Sequence, residues 1–532
     1  MTAVTGPRAD SVVLGAGDWF APDVPALLGS ECPRCGTRAF PAGAFCWRCA
    51  GPTARVALPR TGTVVARTRV RVAPQGFPPV YDVGVVALST DLHILVRFDE
   101  TAPGHGEPVS VTTGPVRIDD GRTVLGPVFT VGGARPEPRP VPDGPQGAPE
   151  RAAGPRLGVS VAGVATTDFG RAELPGEQLA AQAALAAVAD AGLAASDIDA
   201  VVVGSAFSTA ALGQRMLRHV PWGGRRLLNV ENACASGTTA LAEAAALVRA
   251  GLADAVVAVG ADTPLRSGGG LIPLDLSGPV AGVGVTLPAL YALVADGYRA
   301  RNGTAVDAFA EVVVRSRAAA ATNPHAYRRE PLTRADVLAS RPIADPITLF
   351  QCTPNADGAS AVVVVADHLR SRNPHPQVEL ASLVLRSGMA RDRFSGNGIV
   401  ARAAREAYLR AGVDPADVGI VELHDAFAPA ALTYLESLGL AEAGTAADRL
   451  LAGGFRGGSE AALNVGGGLL SRGHPPGATG LAQVTELVQQ LRGEAGERQL
   501  ADPGVGLVHT MGGTILELEA NACTVGVLRR VP

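Results

Sequence analysis

At 532 residues the chain is too long for one hydrophobic core, so two or three domains are expected. Its hydrophobic fraction is 47%, mostly Ala, Val and Leu, yet no apolar run is long enough to span a bilayer, which excludes a helical membrane protein and a membrane partner. With 46 basic against 50 acidic residues and a net charge of −4, there is no positive excess to hold a polyanion, so nucleic acid is not expected as a partner.

The opening stretch MTAVTGPRADSVVLGAGDWF sets Asp10 and Asp18 around a short apolar patch without a basic n-region, so it does not read as a signal peptide and a cytoplasmic address is expected. Two CxxC knuckles follow in ECPRCGTRAFPAGAFCWRCA, carrying Cys32, Cys35, Cys46 and Cys49. Each knuckle presents two thiolates to one side of a tight turn, and two knuckles complete the tetrahedral shell that zinc accepts. All four sulfurs are then used and no coordination position stays open, so the zinc is expected to be structural. Residues 1-54 are read as an N-terminal segment and zinc ribbon.

Residues 55-130 change to short alternating stretches, TVVARTRVRV, YDVGVVAL, LHILVRF and PVSVTT, separated by Gly, Pro and Asp. The pattern predicts a small all-β barrel of the OB type. Such barrels often bind nucleic acid, but stacking aromatics in a basic groove are missing here, and aromatic residues make up only 4% of the chain. Residues 131-156, VGGARPEPRPVPDGPQGAPERAAGPR, are rich in Pro and Gly and cannot bury a core, so an extended linker is expected.

From Leu157 onward, strands alternate with Ala-rich helices, the signature of a layered α/β architecture. A first half is read over 157-263 plus 351-374, an insertion of Gly-rich loops and helices over 264-350, and a second half over 375-532. The halves repeat one another. NACASGTTALAEAAALV around Cys234 matches GHPPGATGLAQVTELV around His474 at a constant offset of 240 residues, and AGLAASDIDAVVVGSAF from Ala191 matches AGVDPADVGIVELHDAF from Ala411 without a gap, turning Gly204 into His424. Such a duplication predicts two copies of one βα unit about a pseudo-dyad, with equivalent positions facing each other across the centre.

Three of those positions carry reactive groups. Cys234 stands just before a helix, where exposed amides and the dipole are expected to favour its thiolate and to cradle an oxyanion; the alternative is a buried structural cysteine. His474 lies in a rigid Gly/Pro-rich turn and is suited to accept a thiol proton, although a capping or surface role is open to it. His424 follows VGIVEL at the carboxyl end of a predicted strand, where ligand sites of α/β sheets lie. Its neighbour Asp425 either orients a ring or caps the next helix. His509 in GLVHTMGG is a fourth candidate, and Gly512 and Gly513 allow close backbone approach to a substrate or oxyanion.

These motifs carry a resemblance. NACASG at Cys234, HDAF from His424, GHPPGATG at His474, HTMGG from His509 and DGA from Asp357 together resemble the thiolase superfamily, nearer to its sterol-carrier-type and archaeal members. The resemblance covers residues 157-532 and implies a duplicated five-layer αβαβα fold, while residues 18-130 are similar to the zinc-ribbon and OB accessory proteins that accompany such thiolases as separate chains. It implies a coenzyme A thioester as substrate, acylation of Cys234, activation by His474, and a homodimer. His424 stands where classical thiolases carry an Asn that holds a water in the oxyanion hole. Where classical thiolases have a second cysteine in a CxG motif this chain has His509 and Thr510, and His424 in the acid/base role gives a Cys-His-His set that also resembles decarboxylating ketosynthases.

The expected activity is therefore an acyl-CoA-dependent C-acyltransferase working through an acyl-cysteine. A retro-aldolase acting on a CoA-thioester side chain, with Tyr291 or Tyr327 as candidates, is the rival on the same fold, and a non-catalytic acyl-CoA-binding scaffold is a third reading.

Overall fold

The duplication in the sequence is a duplication in the sheet. The computed structural model describes residues 11–100, 102–135, 157–207, 210–269, 276–388, 398–513 and 522–531. The start of the N-terminal segment (1–10) and residues 136–156 of the linker expected over 131–156 lie outside the described residues, while Val131 still belongs to the strand Arg122–Val131. The first-half strands Val159–Thr166, Ala200–Gly204, Arg226–Val230, Ala255–Asp262 and Gly358–Val365 are matched by Val378–Ser387, Ile420–Glu422, Ala462–Leu463, Val505–Gly512 and Ala522–Arg530. Outward from the junction, both halves follow the order first, fifth, fourth, second, third. A short antiparallel ladder, from Val159 opposite Leu380 to Val161 opposite Val378, joins them.

The valine-rich strands are covered on both faces, so Ala255–Asp262 and Gly358–Val365 are buried at every residue rather than alternating. Helices Gly176–Asp190 and Ile399–Ala411 cover the outer faces, and Ser236–Arg249 and Pro476–Arg492 lie between the halves, which gives the five layers αβαβα. The two inner helices touch at their own symmetry mates. A Cβ on Gly237 would lie 2.4 Å from the carbonyl oxygen of Gly477, and one on Gly260 would lie 1.9 Å from the same oxygen. Only glycine permits that approach, and it brings both helix N-termini to the pseudo-dyad.

At the N-terminal end, strands Phe20–Ala21, Ala26–Glu31, Arg38–Ala39 and Ala54–Ala57 form a four-stranded sheet beside the cysteine knuckles. Strands Thr61–Val70, Tyr81–Ser89 and Leu92–Arg97 pair in succession, while Pro108–Asp119 pairs with both Thr61–Val70 and Arg122–Val131. A parallel bridge between Phe98 and Phe129 closes this small all-β barrel.

Residues 276–350 hold more regular structure than Gly-rich loops suggest: helices Leu287–Asn302, Val306–Ala320 and Arg334–Ala339 and a hairpin of Pro342–Ala344 with Ile347–Thr348. The hairpin extends the barrel sheet, with Ala344 opposite Val70, and Arg71 makes a bidentate pair with Asp345 at 2.6 and 2.7 Å. Tyr81 of the barrel donates to the carbonyl of Gly284 at 2.6 Å. One hydrophobic cluster runs from Val83 and Val85 through Leu290 and Leu293 to Phe427 and Leu432, so barrel, insertion and second half share a core. Among the described residues no helix is long and apolar enough to cross a membrane.

Candidate active site

The crossing of the inner helices sets the site. Cys234 sits one residue ahead of the N-cap of Ser236–Arg249, and His474 one residue ahead of that of Pro476–Arg492. The turn before Cys234 is held in an uncommon shape: Ala233 has a φ of +47°, in the left-handed region that non-glycine residues seldom adopt. Its N–H donates to Glu231 Oε1 at 2.6 Å, and Ser236 Oγ donates to its carbonyl at 2.6 Å. From that turn the Cys234 Sγ lies 3.2 Å from Nε2 of His474.

The other face of His474 fixes its tautomer. Thr479 gives its hydroxyl hydrogen to the carbonyl of Pro475 at 2.9 Å, so its oxygen accepts from His474 Nδ1–H at 2.6 Å. The unprotonated Nε2 therefore faces the sulfur. The first half repeats this device with an amide in place of the ring: Thr239 donates to Ala235 O at 2.9 Å and accepts from the Asn232 side chain at 3.0 Å.

His424 completes a triangle. Its ring lies edge-on to that of His474, with centroids 5.3 Å apart, and one ligand atom each of Cys234, His424 and His474 fall within 4.8 Å of one another. His424 is 2% exposed and its Nδ1 has no hydrogen-bond partner. His509 stands one layer behind: its Nδ1 accepts the backbone N–H of His424 at 3.4 Å, and its ring meets Tyr434 edge-on at 4.6 Å. Gly512 backs the cysteine turn, because a Cβ there would lie 2.2 Å from Asn232 O and 2.9 Å from Cys234 N. Gly513 follows at the exposed strand end with a φ of +137°. Asp425 caps not the next helix but Gly468–Arg472, accepting from Leu469 N at 2.7 Å.

Burial decides the resting charges. It pushes the Cys234 thiol up to about 12, with the Asp262 carboxylate adding to the rise and the cysteine's own amide opposing it, so the helix-terminus expectation of a resting thiolate does not hold. Burial also holds His474 down to about 3, reinforced by Arg472, and holds His424 well below its usual range, with the other two histidines contributing. The resting site is a neutral thiol beside neutral imidazoles.

Two positioning groups carry no local sequence motif. Asp262, at the end of its strand, accepts from Ser205 Oγ, Ala206 N, Phe207 N and Gly477 N at 2.6–3.0 Å and so anchors the start of the His474 helix. The segment Cys352–Ala356 threads between the histidine turns, where Thr353 N donates to Ala426 O at 3.0 Å and Pro354 O accepts from His474 N at 3.2 Å. Of the two tyrosines, Tyr291 stacks on Phe427 with centroids 4.5 Å apart, and Tyr327 donates its backbone N–H to Arg472 O at 3.0 Å.

The four ribbon cysteines form a separate cluster. Sulfur separations of 3.6 Å join Cys32 to Cys49, Cys35 to Cys46 and Cys35 to Cys49. Four sulfurs at about 2.3 Å from a tetrahedral zinc would stand about 3.8 Å apart, so the set fits that ion and is too wide for disulfides.

The thiolase N-terminal domain family matches residues 159–263, and the thiolase C-terminal domain-like family matches residues 387–521. The acetyl-CoA acetyltransferase of Methanothermobacter thermautotrophicus is 34% identical over 378 residues, covering 67% of this chain and 96% of that protein. Human sterol carrier protein 2 is 32% identical over 389 residues, covering 66% of this chain and 70% of that one. Among solved structures, the Ltp2-ChsH2(DUF35) aldolase superposes with a TM-score of 0.61 at 28% identity, covering 70% of this chain and 98% of the other.

Proposed function

Because the chain belongs to the thiolase family, we propose that it transfers acyl groups from coenzyme A thioesters to carbon through an acyl-Cys234 intermediate. The contact that carries this reading is His474 Nε2 at 3.2 Å from Cys234 Sγ, with Nδ1 tied to Thr479. Since the thiol is held up and the imidazole down, the ion pair is not pre-formed, and the proton passes from sulfur to Nε2 as sulfur bonds to the acyl carbon. The thioester C–S bond then breaks, and the departing CoA sulfur takes the proton back from the imidazolium. Amides at Cys234 and Gly513 hold the developing oxyanion. In the second half-reaction His424 accepts a proton from the α-carbon of the acceptor, that carbon bonds to the acyl carbon, the Cys234 sulfur leaves as a thiolate, and the proton held on His424 passes to it, which restores the thiol and both neutral imidazoles. His509 serves by fixing the backbone of His424.

The four ribbon cysteines would hold a structural zinc, and we read the closed five-stranded barrel as OB-type. A homodimer is supported by the sheet edge Arg226–Val230, whose outer side is unpaired in the described chain, whose Leu228 is 39% exposed, and which leads directly into the Cys234 turn. Intact-mass analysis after incubation with acetyl-CoA should find one acetyl group on the wild type and none on Cys234→Ala. An unmodified wild type would sink the reading.

The aldolase neighbour and the Tyr291–Phe427 stack, three residues from His424, favour a second reading as a retro-aldolase on a CoA-thioester side chain. Cleavage of such a thioester by Cys234→Ala at the wild-type rate would select it. Release of carbon dioxide from malonyl-CoA would instead favour decarboxylating condensation of the ketosynthase type.

A further inference from the structure

We propose that Cys234, His424 and His474 also form a reversible site for a thiophilic divalent cation, zinc foremost, whose occupancy excludes the acyl thioester. Exclusion rests on the acyl-transfer reading above, whereas binding of the ion does not.

The donors are the right kind at nearly the right separations. One thiol and two imidazoles fall within 4.8 Å of one another, and the closest pair is 3.2 Å apart. A tetrahedral zinc with nitrogen ligands at about 2.0 Å and sulfur at about 2.3 Å needs ligand atoms roughly 3.3–3.6 Å apart. Small side-chain rotations of His424 close the difference, and that ring has no hydrogen bond on Nδ1 to resist them. The rings of His424 and His474 are inclined at 80°, so their nitrogen lone pairs can converge on one point rather than stack.

The surroundings support a cation. The carboxylates of Asp262 and Glu231 place negative charge beside the sulfur, and Arg472 acts against them from the His474 side. Thr479 on His474 Nδ1–H is the outer hydrogen bond that orients a metal-ligating histidine. His424 Nδ1 lacks such a partner, and three donors leave a fourth coordination position open at a site whose cysteine is only partly buried. An open corner and an incomplete outer shell make an exchangeable ion, in contrast to the closed set of four ribbon thiols. Binding is a substitution: the Zn–S bond forms, the S–H bond breaks, one proton leaves to solvent, and nothing is oxidised or reduced.

The test uses the full-length protein with its ribbon metal in place, titrated with zinc ions by calorimetry and by metal analysis after rapid desalting. The wild type should take up one zinc beyond the ribbon ion, with a chelator removing it first, and Cys234→Ser and His424→Ala should each lose that ion while keeping the ribbon one. Cobalt substitution should add a thiolate-to-metal absorption band that is absent in Cys234→Ser. At a free zinc concentration ten times the dissociation constant, alkylation of Cys234 should slow about tenfold, and chelation should restore it. An additional ion that both variants retain, or none at millimolar zinc, overturns the proposal. If the ion binds as described but acetyl-CoA leaves no adduct on the metal-free site, the cation site stands and the acyl-transfer reading falls.

Discussion

Glu422 and Arg472 face each other at 3.5 Å inside the protein, each two residues ahead of a site histidine. They are 0% and 2% exposed, and Glu422 Oε1 also accepts from Gly466 N at 3.1 Å, while Arg472 donates to Ala482 O at 3.3 Å. Burial pushes the Glu422 carboxyl up, and Arg472 pulls it back down. The pair joins the end of Ile420–Glu422 to the end of Gly468–Arg472, and so sets His424 against His474. Removing the carboxyl strands a buried guanidinium that cannot give up its proton: Glu422→Leu should cost about 3–5 kcal/mol, read as a lower denaturant midpoint. The double variant Glu422→Leu/Arg472→Met should recover most of that loss, since neither charge is then left alone.

Thr479 and Thr239 are sequence twins with different work to do. Thr479→Val removes the acceptor for His474 Nδ1–H, frees the ring to take either tautomer, and should slow acylation by roughly tenfold to a hundredfold, the equivalent of about 1–3 kcal/mol. Thr239→Val breaks the Asn232 contact and the bond to Ala235 O, neither of which involves the His474 ring, and should leave the pH profile of acylation where it was. Stopped-flow acylation across pH checks both.

Gly512→Ala would place a methyl group 2.2 Å from Asn232 O and 2.6 Å from Ala235 N, among backbone atoms that cannot swing aside. The Cys234 turn must shift, and acyl transfer should drop about a hundredfold or more while the melting temperature falls far less than activity. Equal loss of both would mean that the glycine serves folding alone.

His509 allows a clean pH experiment. Burial depresses its folded pKa to about 3, below the ordinary histidine range, so the unfolded chain takes up a proton that the folded chain refuses. The stability this gives is fully present above about pH 6.5 and is lost as pH falls toward about 3, on the order of 3–5 kcal/mol over the window. His509→Asn keeps an acceptor for the backbone of His424 but does not titrate. Its stability should therefore fall less steeply than that of the wild type between those pH values, measured by urea denaturation.

The site was legible in the sequence where chemistry and duplication coincide. Cys234 and His474 are mates in one ungapped block of the repeat, His424 stands in a second ungapped block where the first half has Gly204, and the glycines that let the inner helices touch, Gly237 and Gly477, recur at the same offset as Cys234 and His474. Asp262 was not legible, because an acidic residue ending the run ADAVVAVGAD looks like an ordinary loop or cap and its four donors come from distant segments. The place of His509 behind His424 was equally hidden, since the end of its strand is buried on both faces and alternation then says nothing about which way a side chain turns. The charge of the cysteine came out opposite to the helix-terminus argument because desolvation at the crossing outweighs the local amides. The pairing of Pro342–Ala344 with the barrel involves strands too short to leave a pattern.

That last pairing has a consequence for how the molecule behaves as a unit. Where an accessory barrel is a separate polypeptide, its association depends on concentration and can be withdrawn. Here Val70 and Ala344 belong to one sheet and one apolar cluster spans both parts, so dilution cannot separate them and their ratio is always one to one. The barrel is as permanent a wall of the catalytic body as the helices beside it.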